Sequence, residues 1–242
     1  LKRNLRRKYL ARRLAALALV MAVFVGVSAL AAGALGWVGS LATGWFAPSP
    51  NSRGYDVATS SSLTVVVNKQ RPLSPLDYYP AQISDFNLTP KASAAFAKMR
   101  SSMAKAGAGD LVVVSAFRDY ATQLETFTKY TSDLGETAGE NRAAKPGFSE
   151  HQTGLAADIA ATGQSCAIKI CFAQTKAGRW LAKNSWRFGF ILRYPKGASE
   201  ITGYQFEPWH YRFVGPQLAR EMHKAKVAVL ETYLNLGPAP NY

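Results

Sequence analysis

From Leu14 to Ser52 the chain carries no charged side chain, and Leu14 to Val38 is almost wholly Ala, Leu, Val, Gly, Met and Phe. As a helix that stretch reaches roughly 37 Å, enough to cross a ~30 Å hydrocarbon core. Beyond it, residues 47–62 are small, polar and broken by proline, the composition of a linker. The pattern therefore predicts an anchor segment over 1–46, a linker over 47–62 and a folded domain over 63–242.

Within the domain the apolar runs are short and of both periods. Leu63 to Val67 reads as a β-branched strand, followed by a turn-rich stretch through Pro72, Pro75 and Pro80. Thr89-Pro90 is an N-cap with proline at the first helical position, opening a helix to about Lys105 that Gly107 and Gly109 end. The continuous apolar run Leu111 to Phe117 reads as a central strand. A helix over Asp119 to Leu134 stops at Gly135, and a polar loop runs on to Glu150. Leu155 to Ala160 is a strand and Thr175 to Trp186 a helix. Phe190 to Arg193 and Trp209 to Val214 are further strands, and Pro216 opens a last helix to about Leu234. The alternation is too irregular for a doubly wound sheet, which leaves α+β as the fold class.

Charge sharpens the N-terminal reading. The chain holds 29 Lys and Arg against 15 Asp and Glu, a formal charge of +14. Seven of the basic residues lie within residues 1–13, ahead of the apolar run, leaving 22 basic against 15 acidic side chains elsewhere. Positive charge before a span predicts a cytoplasmic N-terminus, a membrane association through this helix and an extracytoplasmic domain. Trp37, Trp45 and Phe46 suit the outer interface. A cleavable signal peptide is the alternative, because Ala29-Leu30-Ala31 matches the small-x-small cleavage pattern. The remaining surplus is too diffuse for a nucleic-acid module, so no nucleic-acid partner is expected. The chain starts at Leu1 rather than Met, which leaves residues ahead of it open, as it leaves the oligomeric state.

Cys166 and Cys171 form an even pair in one loop. In an exported protein they read as a disulfide, with half of a zinc ribbon as the alternative.

The chemistry lies in a few short stretches. In Ser149-Glu150-His151-Gln152-Thr153-Gly154-Leu155-Ala156-Ala157-Asp158, His151 ends the polar loop and Asp158 sits in a strand beside the small Ala156 and Ala160. A carboxylate there needs a partner, either a nearby cation in a salt bridge or a metal. The second stretch is Glu207-Pro208-Trp209-His210-Tyr211-Arg212-Phe213. On a strand, His210 and Arg212 face away from Trp209, Tyr211 and Phe213. Two histidines and one carboxylate form a complete protein ligand set for catalytic zinc, with the fourth position left for water, and a further Glu can take that water's proton. Only three histidines occur in the chain, and two fall in these stretches. His223, within the last helix, reads as a packing or surface residue.

Ser149-x-His151-x-x-Gly154-x-Ala156-x-Asp158 together with Glu207-x-x-His210 resembles the signature of the VanY-type D-alanyl-D-alanine carboxypeptidases, grouped with lysostaphin-type and hedgehog-type zinc proteins. The resemblance extends through Val67-Asn68-Lys69, Pro72-Leu73, Ser115 to Tyr120 with Gln123, Phe188 to Pro195 and Ile201 to Tyr204, covering about residues 63–216. It implies a small, mostly antiparallel sheet with flanking helices, here preceded by one N-terminal transmembrane helix. His151, Asp158 and His210 would bind Zn2+ and Glu207 would be the general base. Arg118 would stabilise the developing oxyanion or hold a substrate carboxylate, while Gln123 and Ser149 would hydrogen-bond the peptide end. The implied substrates are peptidoglycan stem peptides ending in D-Ala. Hydrolysis of the L,D bond of a tetrapeptide stem, or a non-catalytic zinc-containing wall-binding module, are the alternatives. The spacing Ser102-x-x-Lys105 also fits a serine penicillin-binding enzyme, but neither Ser-Asp-Asn nor Lys-Thr-Gly accompanies it.

Overall fold

The computed structural model describes residues 52–163 and 166–242. The basic arm and the apolar run 14–38 lie outside the described residues, among which no helix is long and apolar enough to cross a membrane.

Four strands, β1 (Leu111–Ser115), β2 (Ala156–Ala161), β3 (Phe190–Leu192) and β4 (His210–Phe213), form one antiparallel sheet in the order β1-β2-β4-β3. The class is α+β, as the pattern of runs implies. Helix α1 (Pro90–Lys105) follows Thr89, and its buried Ala92, Phe96, Met99 and Met103 recur at the spacing of one helical face. That face joins Ala157, Ile159, Phe190, Tyr211 and Phe213 in the main core. Helix α2 (Tyr120–Leu134) is capped by Asp119, whose carboxylate accepts the Thr122 N–H at 2.8 Å. The polar loop behind it contains a short helix, α3 (Glu136–Glu140), which packs on α2 so closely that a Cβ at Gly139 would lie 2.6 Å from the Thr131 Cα. Helices α4 (Lys176–Asn184), α5 (Ser199–Thr202), α6 (Pro216–Ala225) and α7 (Leu230–Tyr233) complete the surround.

Several elements depart from the sequence pattern, each for a visible reason. Leu63 to Val67 joins no ladder. Val65 and Val67 face the main core and Val66 a second cluster, while the carbonyls of Leu63 and Val65 accept from the Arg212 guanidinium at 3.1 and 2.8 Å. A side chain thus takes the place of a neighbouring strand. The run containing β1 is an edge strand rather than a central one, and Val112 and Val114 remain 45% and 46% exposed. The helix expected to reach Trp186 tightens after Asn184 into a 3-10 turn, Ser185–Phe188. The helix expected to reach Leu234 breaks at Lys226, which is left-handed at φ 56°, and restarts as α7. His223 stacks on Trp186 at 3.9 Å, the packing role read for it.

Residues 52–62, linker by composition, are part of the folded body. Val57 and Ser60 are buried, Val57 O accepts the Val66 N–H at 3.0 Å, and the Tyr55 hydroxyl donates to Glu221 at 2.7 Å. Small polar residues suit a chain hydrogen-bonded along a core as well as a solvated one. Cys166 and Cys171 are joined in a disulfide.

Candidate metal centre and its cleft

Two adjacent strands and the turn before one of them build the site. The 3-10 turn Glu150–Thr153 carries His151 and ends at Gly154, which is left-handed at φ 67°. A Cβ there would lie 2.8 Å from Ile83 Cδ1, so only glycine turns the chain into β2 without displacing a neighbour. Asp158 on β2 stands directly opposite His210 on β4. The facing pair, with His151 arriving from the turn, brings one ligand atom from each residue to within 4.8 Å of the others, and all three residues are buried.

Their hydrogen bonds fix which atoms converge. His151 Nδ1 lies 2.6 Å from the Ala116 carbonyl, which only accepts, so Nδ1 carries the proton and Nε2 is left bare. That bare nitrogen faces Asp158 Oδ2 at 3.4 Å. Burial and the nearby Arg118 guanidinium lower the His151 pKa, favouring the neutral ring. His210 Nε2 lies 3.4 Å from Glu150 Oε2, and His210 Nδ1 lies 3.2 Å from Asp158 Oδ1. Burial alone would depress the His210 pKa, but Asp158 and Glu150 hold it up to about 9. Asp158 stays far below the carboxylate range: burial opposes its charge, and the protonated His210 at 3.2 Å outweighs that. A bare imidazole nitrogen and a carboxylate oxygen facing one another across 3.4 Å are two acceptors without a proton between them, an arrangement a cation satisfies. Two nitrogens and a carboxylate are a donor set suited to zinc.

Glu207 stands beside the triad, its Oε2 3.8 Å from His210 Nδ1. Burial is the largest influence on it, and with Asp158 nearby its pKa is pushed up to about 7 despite His210, Arg142 and Arg118. A carboxyl poised there can both take and return a proton near neutral pH.

Arg118 lines the same cleft. Its Nε donates to Gln123 Oε1 at 3.0 Å and its Nη1 to Ser115 Oγ at 2.6 Å, so the guanidinium is clamped on two sides. Asp119, next in sequence, caps α2 and does not pair with Arg118. Gln123 differs from the expected peptide contact. It is fully buried and spent on Arg118 and on the Ala144 carbonyl, 2.8 Å away, which makes it a support for Arg118. Ser149, also buried, does line the cleft.

The cleft has a volume of about 210 Å³, small enough to suit the end of a peptide rather than a large ligand. Arg142, Tyr130, Tyr194, Tyr204 and Trp209 add to its walls. The sequence reading missed Arg142 and Tyr130, whose spacing nothing marks, and it placed Tyr194 and Tyr204 in stretches of resemblance without reading them as cleft residues. It also missed a fully buried charge network beneath the site. Glu150 accepts from Arg193 Nε and Arg212 Nη1, each at 2.8 Å, and Arg193 also pairs with Glu231 at 2.5 Å. Two basic and two acidic residues in short, largely apolar stretches were the available signal, because such charges are tolerated only when paired, though nothing local shows which of them meet.

The family model described as VanY, D-alanyl-D-alanine carboxypeptidase, matches residues 85–216, more than half of the chain. Among curated proteins the chain is 32% identical over 181 residues to a D-alanyl-D-alanine carboxypeptidase of Enterococcus faecium, covering 75% of this chain and 55% of the relative. It is 41% identical over 133 residues to one of Enterococcus faecalis, covering 51% and 47%. The chain thus spans about half the length of the curated relatives it matches. Among solved structures, the LdcB LD-carboxypeptidase superposes with a TM-score of 0.66 at 33% identity, covering 73% of this chain and 87% of that one. A VanY D,D-pentapeptidase from a VanB-type vancomycin resistance cassette, solved in complex with Zn(II), gives 0.61 at 32% identity, covering 72% and 99%. The matched segment contains every residue of the candidate centre, from Arg118 to His210, on a sheet of the same architecture. The chain belongs to the VanY family of D-alanyl-D-alanine carboxypeptidases.

Proposed function

We propose that this protein is a zinc-dependent D,D-carboxypeptidase that removes the terminal D-alanine from peptidoglycan stem peptides. The observation that carries the proposal is the convergence of His151 Nε2, Asp158 and His210 Nδ1 in a small cleft beside Glu207 and Arg118. The VanYB structure in complex with D-alanine-D-alanine supports the substrate class.

His151, Asp158 and His210 would hold the ion. Bound zinc supplies Lewis-acid polarisation of the scissile carbonyl and acidifies water. Glu207 takes one proton from the attacking water, whose oxygen bonds to the carbonyl carbon, and delivers it to the nitrogen of the departing D-alanine as the C–N bond breaks. Arg118, held by Gln123 and Ser115, presents its remaining nitrogen to the substrate carboxylate or the developing oxyanion. Ser149 offers a hydrogen bond to the peptide end. A non-catalytic wall-binding module is disfavoured by Glu207, since a structural metal site needs no proton carrier. The uncharged run Leu14–Val38 behind a basic arm supports a single membrane anchor with the catalytic domain extracytoplasmic, or secretion after cleavage.

Hydrolysis of the L,D bond is the second reading. Solved L,D-carboxypeptidases, LdcB and the DacB of Streptococcus pneumoniae at 35% identity and a TM-score of 0.62, are as similar to this chain as the D,D-pentapeptidase. Incubating the zinc-loaded protein with stem pentapeptide and stem tetrapeptide separates the two by mass. Loss of one alanine from the pentapeptide alone is the expected result. Loss from the tetrapeptide assigns the L,D reaction, and two intact peptides with zinc bound overturn the enzyme reading.

A further inference from the structure

Metal-ligating imidazoles need a partner for the ring nitrogen that does not ligate, because that partner sets both tautomer and ring orientation. Here the two rings have partners of different kinds. His151 uses the neutral Ala116 carbonyl. His210 uses a carboxylate, Glu150, immediately before His151 in sequence yet facing the other ring, 3.4 Å from its Nε2. Glu150 is 2% exposed, and its other oxygen is held by two guanidinium groups, Arg193 and Arg212. Arg193 in turn chelates Glu231 through two nitrogens at 2.9 and 2.5 Å, and Glu231 accepts from Asn68 at 2.9 Å. Arg212 is held further by the carbonyls of Leu63, Val65 and Phe213.

We infer that Glu150 is a positioning residue for the metal centre, holding His210 with Nδ1 turned to the ion, and that Arg193 and Arg212 keep its carboxylate in place for that task. The geometry allows little else. A carboxylate only accepts when ionised, so the proton of a neutral His210 is drawn to Nε2 and the lone pair to Nδ1, toward Asp158. With one oxygen committed to two guanidinium groups, Glu150 cannot swing into the cleft to ligate. The network also explains how a buried ion pair survives beside the site: two arginines and two glutamates balance in charge, and the Nε and Nη2 of Arg212 go to backbone carbonyls.

The inference rests on the zinc reading of the triad, and the test separates the two. Glu150→Gln and Glu231→Gln each remove one carboxylate from the same buried network, but only the first touches His210. Zinc dissociation constants come from competition against a chromophoric chelator on metal-free protein, alongside thermal melting. Glu150→Gln is expected to weaken zinc binding by about 10- to 100-fold. Glu231→Gln is expected to melt earlier while binding zinc as the parent protein does. Equal zinc affinity in Glu150→Gln and the parent, or equal loss in both variants, overturns the positioning role. A parent protein that binds no zinc overturns the zinc reading and this inference with it. If neither variant folds, imidazole 15N–1H spectra of the zinc-loaded parent decide. Ligation of His210 through Nδ1 with a slowly exchanging Nε2–H is expected, and ligation through Nε2 refutes the role.

Discussion

Three carboxylates lie within one small region, and their surroundings give them three different jobs. Asp158 and Glu150 are held ionised, the first by the protonated His210 and the second by two arginines, although both are buried. Glu207 has only His210 nearby, at 3.8 Å, and burial outweighs it and pushes the carboxyl up to about 7. Separation of titrating groups by environment is what an acid–base site requires. Glu207→Gln keeps the size of the side chain and every candidate ligand. It is expected to bind zinc as the parent does while kcat/KM for the pentapeptide falls by about 10²- to 10⁴-fold, measured as D-alanine release. Arg118 makes a second prediction. Lysine cannot reach Gln123 and Ser115 while also presenting a fork to a carboxylate. Arg118→Lys is therefore expected to lose about 10- to 100-fold in kcat/KM, the worth of a hydrogen bond to a charged group, with thermal stability little changed. Unchanged kinetics would remove Arg118 from the cleft's chemistry.

Among the elements, α7 matters more than its length suggests, because it carries Glu231 to the centre of the buried network. Glu231 is wholly buried, and its pKa is lowered: burial opposes its charge, but Arg193 and Asn68 outweigh that. Glu231→Ala, which leaves Arg193 short of a partner, is expected to cost about 3–5 kcal/mol in denaturant unfolding. The pH dependence follows from the sign of the shift. A carboxyl with a folded pKa below its unfolded value near 4.5 adds stability above that value and loses it as pH falls through the folded one. Parent stability should thus fall more steeply below pH 4.5 than that of Glu231→Gln; equal slopes would show that Glu231 is not paired as described. The elements also show where sequence patterning succeeds. Helix α1 and strands β2 and β4 are legible because their apolar spacing matches the face they bury, and Gly135, Gly154 and Gly189 end what precedes them. Leu63–Val67 and β1 are misjudged for one reason. β-Branched runs signal an extended chain but not what lies beside it, and here the neighbours are a guanidinium in one case and an open cleft wall in the other.

For the molecule as a whole, the sheet order explains why residues 52 positions apart in the chain, Asp158 and His210, are predictable as a site. Histidine is scarce in this sequence, and the two stretches that contain it carry the carboxylates as well. The supporting shell was not legible in the same way. Glu150, Arg193, Arg212 and Glu231 come from a turn, two strand regions and a terminal helix, and nothing local to any of them reveals that they meet. The central claim is that the triad binds one catalytic zinc that Glu207 serves. Its most direct test is to strip the purified protein of metal, add zinc back in measured fractions, and follow D-alanine release from stem pentapeptide. The account predicts no release from metal-free protein and a rise that levels off at one zinc per chain. Glu207→Gln should take up the same zinc with no such rise. Release that persists in fully metal-free protein, or that accompanies zinc binding in His210→Ala as in the parent, would contradict it.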